Sequence, residues 1–206
     1  MLSSMVHSLG INMGPAIDLL RNNPQSQPYG YWEDQSFVSI NRQIIKAAGG
    51  SWHNPPGRLK VLTASVEFRD QISELIETRN ELDNWGWKDP RNCLCIECYQ
   101  YVLQQLPDVR YVHIIRDKGT IADSLIWRGD VLQNSKQRQE RIEWQKVIEA
   151  HERRVRGFFN RYQVRRYTVA YEDILKHPKY EVKQLATFLG IDDNDLIETN
   201  KKRIRY

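Results

Sequence analysis

Arg116 and Ser124 are the residues whose types and spacing best suit the binding of a phosphate. Arg116 directly follows the β-rich run 110–115, and Ser124 lies eight residues later, in a segment that begins as a helix near Gly119. In open α/β sheets, ligands bind beyond the carboxyl ends of the strands. An arginine there presents a planar fork of donors that matches phosphate oxygens. The spacing predicts a phosphate site, and the alternative is a local ion pair for Arg116 with simple packing of Ser124.

The elements that must position these residues follow from the hydrophobic pattern. Compact β-rich runs predict strands at 110–115, which we expect to be buried, and at 166–170, and Trp85-Gly86-Trp87 predicts a short third strand. Helical spacing of apolar residues predicts helices at 2–9, 37–48, 66–82, 93–106, 120–127, 137–159, 174–175 and 182–189. Strand and helix alternate, so we predict a single α/β domain over residues 1–206 with a mainly parallel sheet.

Composition restricts the classes of function. The chain is 40% hydrophobic and 10% aromatic, as a globular protein is, and its formal net charge of +4 permits an anionic ligand. There is no dense block of Lys and Arg interleaved with aromatics, which argues against a nucleic-acid partner. There is also no apolar run of roughly 20 residues, as a membrane span needs.

The cysteines indicate a reducing environment and no metal site. Cys93, Cys95 and Cys98 are odd in number and close together, so they do not form a disulfide framework, and we expect a cytoplasmic protein. The alternative is a structural zinc site, but zinc prefers four ligands from paired segments. Buried thiols are the preferred interpretation.

Several further motifs, taken in their order and separation, resemble the sulfotransferase family of bacterial type. The Arg116 and Ser124 pair matches the family's arginine at a strand end with a serine eight positions later, although Lys118 stands where the family usually has proline. The other matching segments span nearly the whole chain: Leu9 to Gly14, Gly30 to Asp34, Trp87-Lys88-Asp89-Pro90-Arg91, Tyr171 to Ile174 and Phe188 to Gly190.

The resemblance implies a nucleotide cosubstrate and a fold. The fold would be a three-layer P-loop NTPase-like one, with a central mainly parallel sheet flanked by helices. The cosubstrate would be 3′-phosphoadenosine 5′-phosphosulfate (PAPS), leaving as adenosine 3′,5′-bisphosphate (PAP). Arg116 and Ser124 would hold the 3′-phosphate, and Tyr171 would stack on or hydrogen-bond to the adenine. Arg91 would support the nucleotide phosphates, or else pair with Asp89.

The resemblance also suggests residues for sulfonate transfer to a hydroxyl or amine of a small-molecule or glycan acceptor. Asp89 would act as the base and Lys88 would stabilise charge on the bridging oxygen. The alternative is a Lys–Asp pair that orders the turn at Pro90. Glu33 and Asp34 are a second choice for activating the acceptor, and His53 is a candidate for the acceptor pocket.

One element of the family pattern has no match in this sequence. Family members open with a strand and a Gly/Ser/Thr-rich loop that holds the 5′-phosphosulfate. No glycine or basic residue precedes Leu2, so we expect the first strand and this loop to be missing. The leading hypothesis is a sulfotransferase-like protein. The alternatives are an inactive relic that binds a nucleotide or a partner, and a P-loop kinase-like phosphotransferase, although no Walker-type lysine loop is visible.

Overall fold

The computed structural model describes residues 1–20, 30–127 and 137–192. Two strands lie among these residues, β1 (Tyr111–Ile115) and β2 (Arg166–Ala170). The α-helices are α1 (Leu2–Ser8), α2 (Gln35–Ala47), α3 (Arg58–Ala64), α4 (Arg69–Asn80), α5 (Asn92–Cys95), α6 (Gln100–Leu103), α7 (Lys118–Trp127), α8 (Gln137–Arg161), α9 (Tyr171–Lys176) and α10 (Pro178–Leu189). None of the helices in this part of the chain is long and apolar enough to cross a membrane.

The strands β1 and β2 pair in parallel, with Ile115 opposite Ala170. The chain passes from one to the other through α7 and α8, as a parallel pair requires a long crossover. This confirms the mixed α/β class and the parallel pairing. It also brings the residues that follow the two strands, Arg116 and Tyr171, to the same edge of the sheet.

The prediction that β1 is buried was wrong, because its first three residues are only half-buried and its last two are exposed. Ile114 and Ile115 are 40% and 43% exposed. A strand is fully buried only when neighbours cover both its faces. Within the residues that the structure describes, β1 pairs only with β2. The carboxyl end of β1 is therefore open to solvent beside Arg116.

The predicted strand at Trp85-Gly86-Trp87 was also wrong, because this segment makes only an isolated bridge. The amide of Asn12 donates to the carbonyl of Asn84 (2.8 Å), and the amide of Gly86 donates to the carbonyl of Asn12 (2.9 Å). A single bridge between Asn12 and Trp85 is too short to form a strand. The bridge nevertheless joins the segment after α1 to the turn that begins at Lys88.

Two of the predicted helices are interrupted. The expected helix at 66–82 instead begins at Arg58, passes through a 3₁₀ turn at Ser65–Phe68 and ends at Asn80. The hydroxyl of Ser65 donates to the carbonyl of Leu62 (2.8 Å), a local bond that competes with the helical ladder. The expected helix at 93–106 is likewise divided by a 3₁₀ turn at Ile96–Tyr99.

Among the described residues, the buried apolar side chains form three clusters. The first lies among α2 to α6, where the ring of Phe37 stacks on that of Trp87 at 4.4 Å. The second packs α1 and α10 against β2, with Leu9 and Val169 in contact with the same group. The third joins α7 to α8 around Trp144. The sheet edge with Arg116 and the turn with Lys88 are thus both supported by packed helices.

Candidate functional site

Arg116 and Tyr171 meet at the carboxyl ends of the two strands. The guanidinium carbon of Arg116 lies 4.3 Å from the centroid of the Tyr171 ring, which is close enough for a cation–π contact. The Nε atom of Arg116 is buried and has no hydrogen-bond partner among the described residues. A buried donor without an acceptor costs about 1–3 kcal/mol. An anion accepting from this N–H would remove that cost.

The backbone around Arg116 is held by the start of α7 and by α9. The carboxylate of Asp117 accepts from the amide of Thr120 (2.8 Å) and from its hydroxyl (3.0 Å). Hydrogen bonds from the Thr120 backbone and hydroxyl lower the pKa of Asp117. The amide of Asp117 approaches Glu172 Oε1 at 3.5 Å. Ser124 is half-buried further along α7. Its convergence with Arg116 on one anion stays a prediction.

Two ion-pair groups fasten α7 to α8. Lys118 Nζ lies 3.4 Å from Glu152 Oε2 and 3.7 Å from Glu149 Oε1. Arg141 Nε donates to Asp123 Oδ1 at 2.6 Å. Lys118 therefore holds the first turn of α7 against the long helix. Exposed pairs of this kind contribute little singly, so their main effect is on orientation.

Asp89, the predicted base, is engaged by hydrogen bonds on both oxygens. Its Oδ1 accepts from the amide of Arg91 (2.9 Å) and from Arg91 Nη1 (2.8 Å), and its Oδ2 accepts from Asn41 Nδ2 (2.9 Å). Its side chain is 0% exposed. This geometry favours the alternative in which Arg91 pairs with Asp89 over the alternative of a Lys88–Asp89 pair.

Lys88 instead pairs with Glu33. Its Nζ donates to Glu33 Oε1 at 2.5 Å, and the other oxygen of Glu33 lies 4.0 Å from Arg91 Nη1. Glu33 is buried, whereas the Lys88 side chain is 38% exposed. The residue before Glu33, Trp32, has a left-handed backbone (φ 53°), and its ring lies 4.2 Å from that of His7. A left-handed backbone at a bulky residue persists only where surrounding contacts enforce it.

Asp34, the other acidic residue predicted to activate the acceptor, has a structural role. It caps α2 by accepting from the amide of Ser36 (2.9 Å) and pairs with Arg79 Nε at 2.8 Å. Arg79 also pairs with Asp18 at 2.8 Å. A Cβ atom on Gly14 would lie 2.9 Å from Asp34 Oδ2, so Gly14 makes room for this carboxylate. This network fixes the start of α2, which follows Glu33 in the chain.

Asn41 connects these residues to the core and was not predicted from the sequence. It is 0% exposed, donates to Asp89 and to Asn92 Oδ1 (3.1 Å), and accepts from the hydroxyl of Tyr99 (2.9 Å). The sequence did contain a signal for this role, because an amide side chain lies within the apolar stripe of α2, where a buried polar group needs partners.

The three cysteines are free thiols, and Cys95 and Cys98 are buried. Burial, with a contribution from Asp89, raises the pKa of Cys93 to about 11. Burial also raises the pKa of Cys98 to about 11. Within the described residues no group of three or more His, Cys, Asp or Glu side chains could hold a metal ion.

The thiols are therefore expected to react slowly with a disulfide reagent. At about pH 8 the thiolate fraction of Cys93 should be about a hundredfold below that of an ordinary thiol, since only the thiolate attacks. Stopped-flow labelling of the native protein should show no fast phase, and unfolding in urea should make all three cysteines reactive. A fast thiol in the native protein would contradict the raised pKa values.

The chain is a mixed α/β protein with polar clusters at the carboxyl ends of its parallel strands and at the 88–91 turn. The model of the sulfotransferase family matches residues 22–195. The chain therefore belongs to the sulfotransferase family. No curated protein and no solved structure matches it.

Proposed function

We propose that the protein binds PAPS at the shared carboxyl edge of β1 and β2 and transfers its sulfonate to a hydroxyl or amine of a small-molecule or glycan acceptor. Family membership indicates sulfonate transfer in general. The observation that supports the site is the half-buried Arg116 guanidinium, stacked on Tyr171 with an unpartnered Nε. An arginine fork held in this way suits a phosphate better than a point charge would.

The residues at the strand ends fit the nucleotide part of PAPS. Arg116 would hold the 3′-phosphate, and Ser124, from α7, would add its hydroxyl. The guanidinium covers one face of Tyr171, so the adenine would meet the other face or the phenol oxygen. We expect the fold to be of the three-layer P-loop NTPase type, as in the resemblance, with β1 and β2 as neighbouring parallel strands.

The turn with Lys88 would supply the groups that act on the acceptor. When bound, PAPS supplies the sulfonate, and the protein must take a proton from the acceptor and balance the developing charge. Asp89 accepts three hydrogen bonds and is buried, so in this proposal it positions Arg91. Glu33 is then the base, and Lys88, which pairs with it directly, would be the cation that balances the developing charge.

Binding of matched nucleotides tests the proposal. Calorimetry should give an affinity for PAP at least about tenfold tighter than for adenosine 5′-monophosphate, because only PAP has the 3′-phosphate that Arg116 would hold. Equal affinities would overturn the assigned site. A preference for ATP with Mg²⁺ would favour the phosphotransferase alternative, and tight PAP binding without transfer of radiolabelled sulfonate to any acceptor would favour the relic.

A further inference from the structure

A cluster of aromatic rings joins the loop after α2 to the middle of α8. The ring centroids of Trp52 and His151 are 4.2 Å apart, and those of His53 and Trp144 are 4.9 Å apart. Trp52 also packs against the apolar group shared by α7 and α8. These ring contacts therefore help to attach the loop to the helix, away from Arg116 and from the 88–91 turn.

The hydrogen bond of His151 fixes the tautomer of its neutral ring. Nδ1 lies 2.7 Å from the carbonyl oxygen of Val147, one turn earlier in α8. A carbonyl oxygen can only accept, so Nδ1 must carry the hydrogen. In a neutral imidazole, Nε2 is then a lone-pair acceptor. Burial lowers the pKa of His151; the hydrogen bond to Val147 opposes this shift, and the nearby charge of Arg154 adds to it.

The Nε2 atom of His151 is buried and has no partner within the described ranges, and the whole residue is only 5% exposed. Arg154, three residues later in α8, donates instead to the carbonyls of Pro56 (3.3 Å) and Leu94 (3.0 Å). Buried polar atoms without partners are rare in native proteins, and each calls for an explanation. A ligand that donates a hydrogen bond would provide one.

We propose that the Trp52–His151 cluster is a binding site for a planar, uncharged molecule carrying an N–H or O–H donor, which donates to His151 Nε2. The surrounding rings favour a planar apolar molecule. Because His151 Nε2 can only accept a hydrogen bond, it favours a ligand with a donor and does not bind an anion. Binding at this site does not require a nucleotide. If the bound molecule is part of the sulfonate acceptor, that assignment alone rests on the proposed function.

Indole and N-methylindole are matched probes, because methylation removes the donor and keeps the planar body. NMR titration of the full chain without nucleotide should give indole at least about a tenfold lower Kd, since N-methylindole would leave Nε2 unpaired. His151→Phe should abolish this preference, and His151→Gln, which keeps an acceptor, should retain part of it. The exposed His177, replaced by Phe, serves as the control and should leave the preference unchanged.

Nitrogen NMR of the imidazole gives a second readout that does not depend on any variant folding. It should show the hydrogen of His151 on Nδ1, and addition of indole should shift the Nε2 resonance. Equal affinities for the two probes, binding of neither probe, or a hydrogen on Nε2 would each overturn the proposal. Failure of PAP binding in the same protein would leave the indole result unaffected, so the two proposals fail separately.

Discussion

Replacing Arg116 with Ala is expected to weaken binding of PAP by about a hundredfold. Charge-assisted hydrogen bonds contribute about 1.5–3 kcal/mol each, so losing a bidentate pair costs about 3 kcal/mol or more. At about 1.4 kcal/mol for each factor of ten, this gives the expected change. Arg116→Lys should restore the charge but neither the fork nor the stacking on Tyr171, and so should bind with intermediate affinity. Calorimetry with each variant measures the affinities.

Arg166 offers a matched control for this measurement. Its guanidinium carbon lies 4.7 Å from the centroid of Phe159, so it too stacks on an aromatic ring. It begins β2, whereas Arg116 follows the carboxyl end of β1. Arg166→Ala should therefore keep the wild-type affinity for PAP. If the two alanine variants lose the same affinity, only the general positive charge of the protein matters and the site is wrongly placed.

The meeting of Arg116 with Tyr171 could be predicted because it depends on local signals. Each residue directly follows a short β-rich run, and parallel strands carry their carboxyl ends to one edge. Only the register, in which Ile115 faces Ala170, was needed to bring them together. The cation–π contact itself and the orphan Nε depend on rotamers, which no sequence pattern specifies.

The pairing of Arg91 with Asp89, two residues apart, was among the predictions, but the long-range partners of Lys88 and Asp89 could not be predicted from the sequence. Lys88 stands beside Asp89 in sequence, yet it pairs with Glu33, 55 residues away. Asp89 is turned inward by Asn41, which is 48 residues away. Neighbouring side chains on an extended segment point to opposite sides, so adjacency did not imply contact. The exposure of β1 was likewise a matter of which elements cover it, which periodicity does not report.

Replacing Asn41 with Leu is expected to lower the free energy of unfolding by about 3 kcal/mol. The change leaves Asp89 Oδ2 and the hydroxyl of Tyr99 without their partner in the core, and each buried unpaired group costs about 1–3 kcal/mol. The extra apolar area of Leu offsets only part of this loss. Urea unfolding followed by circular dichroism should show a lower midpoint with an unchanged m-value.

The neighbouring Gln43→Leu variant separates the network from the helix itself. Gln43 is exposed on α2 and bonds only to Ser39 among the described residues, so its replacement should change stability by less than about 0.5 kcal/mol. Asn41→Asp should be more damaging than Asn41→Leu, because it sets a second carboxylate beside Asp89. If Asn41→Leu is no more harmful than Gln43→Leu, Asp89 has no need of its buried partners. The hydrogen bonds of Asp89 would then give no reason to prefer Glu33 over Asp89 as the base.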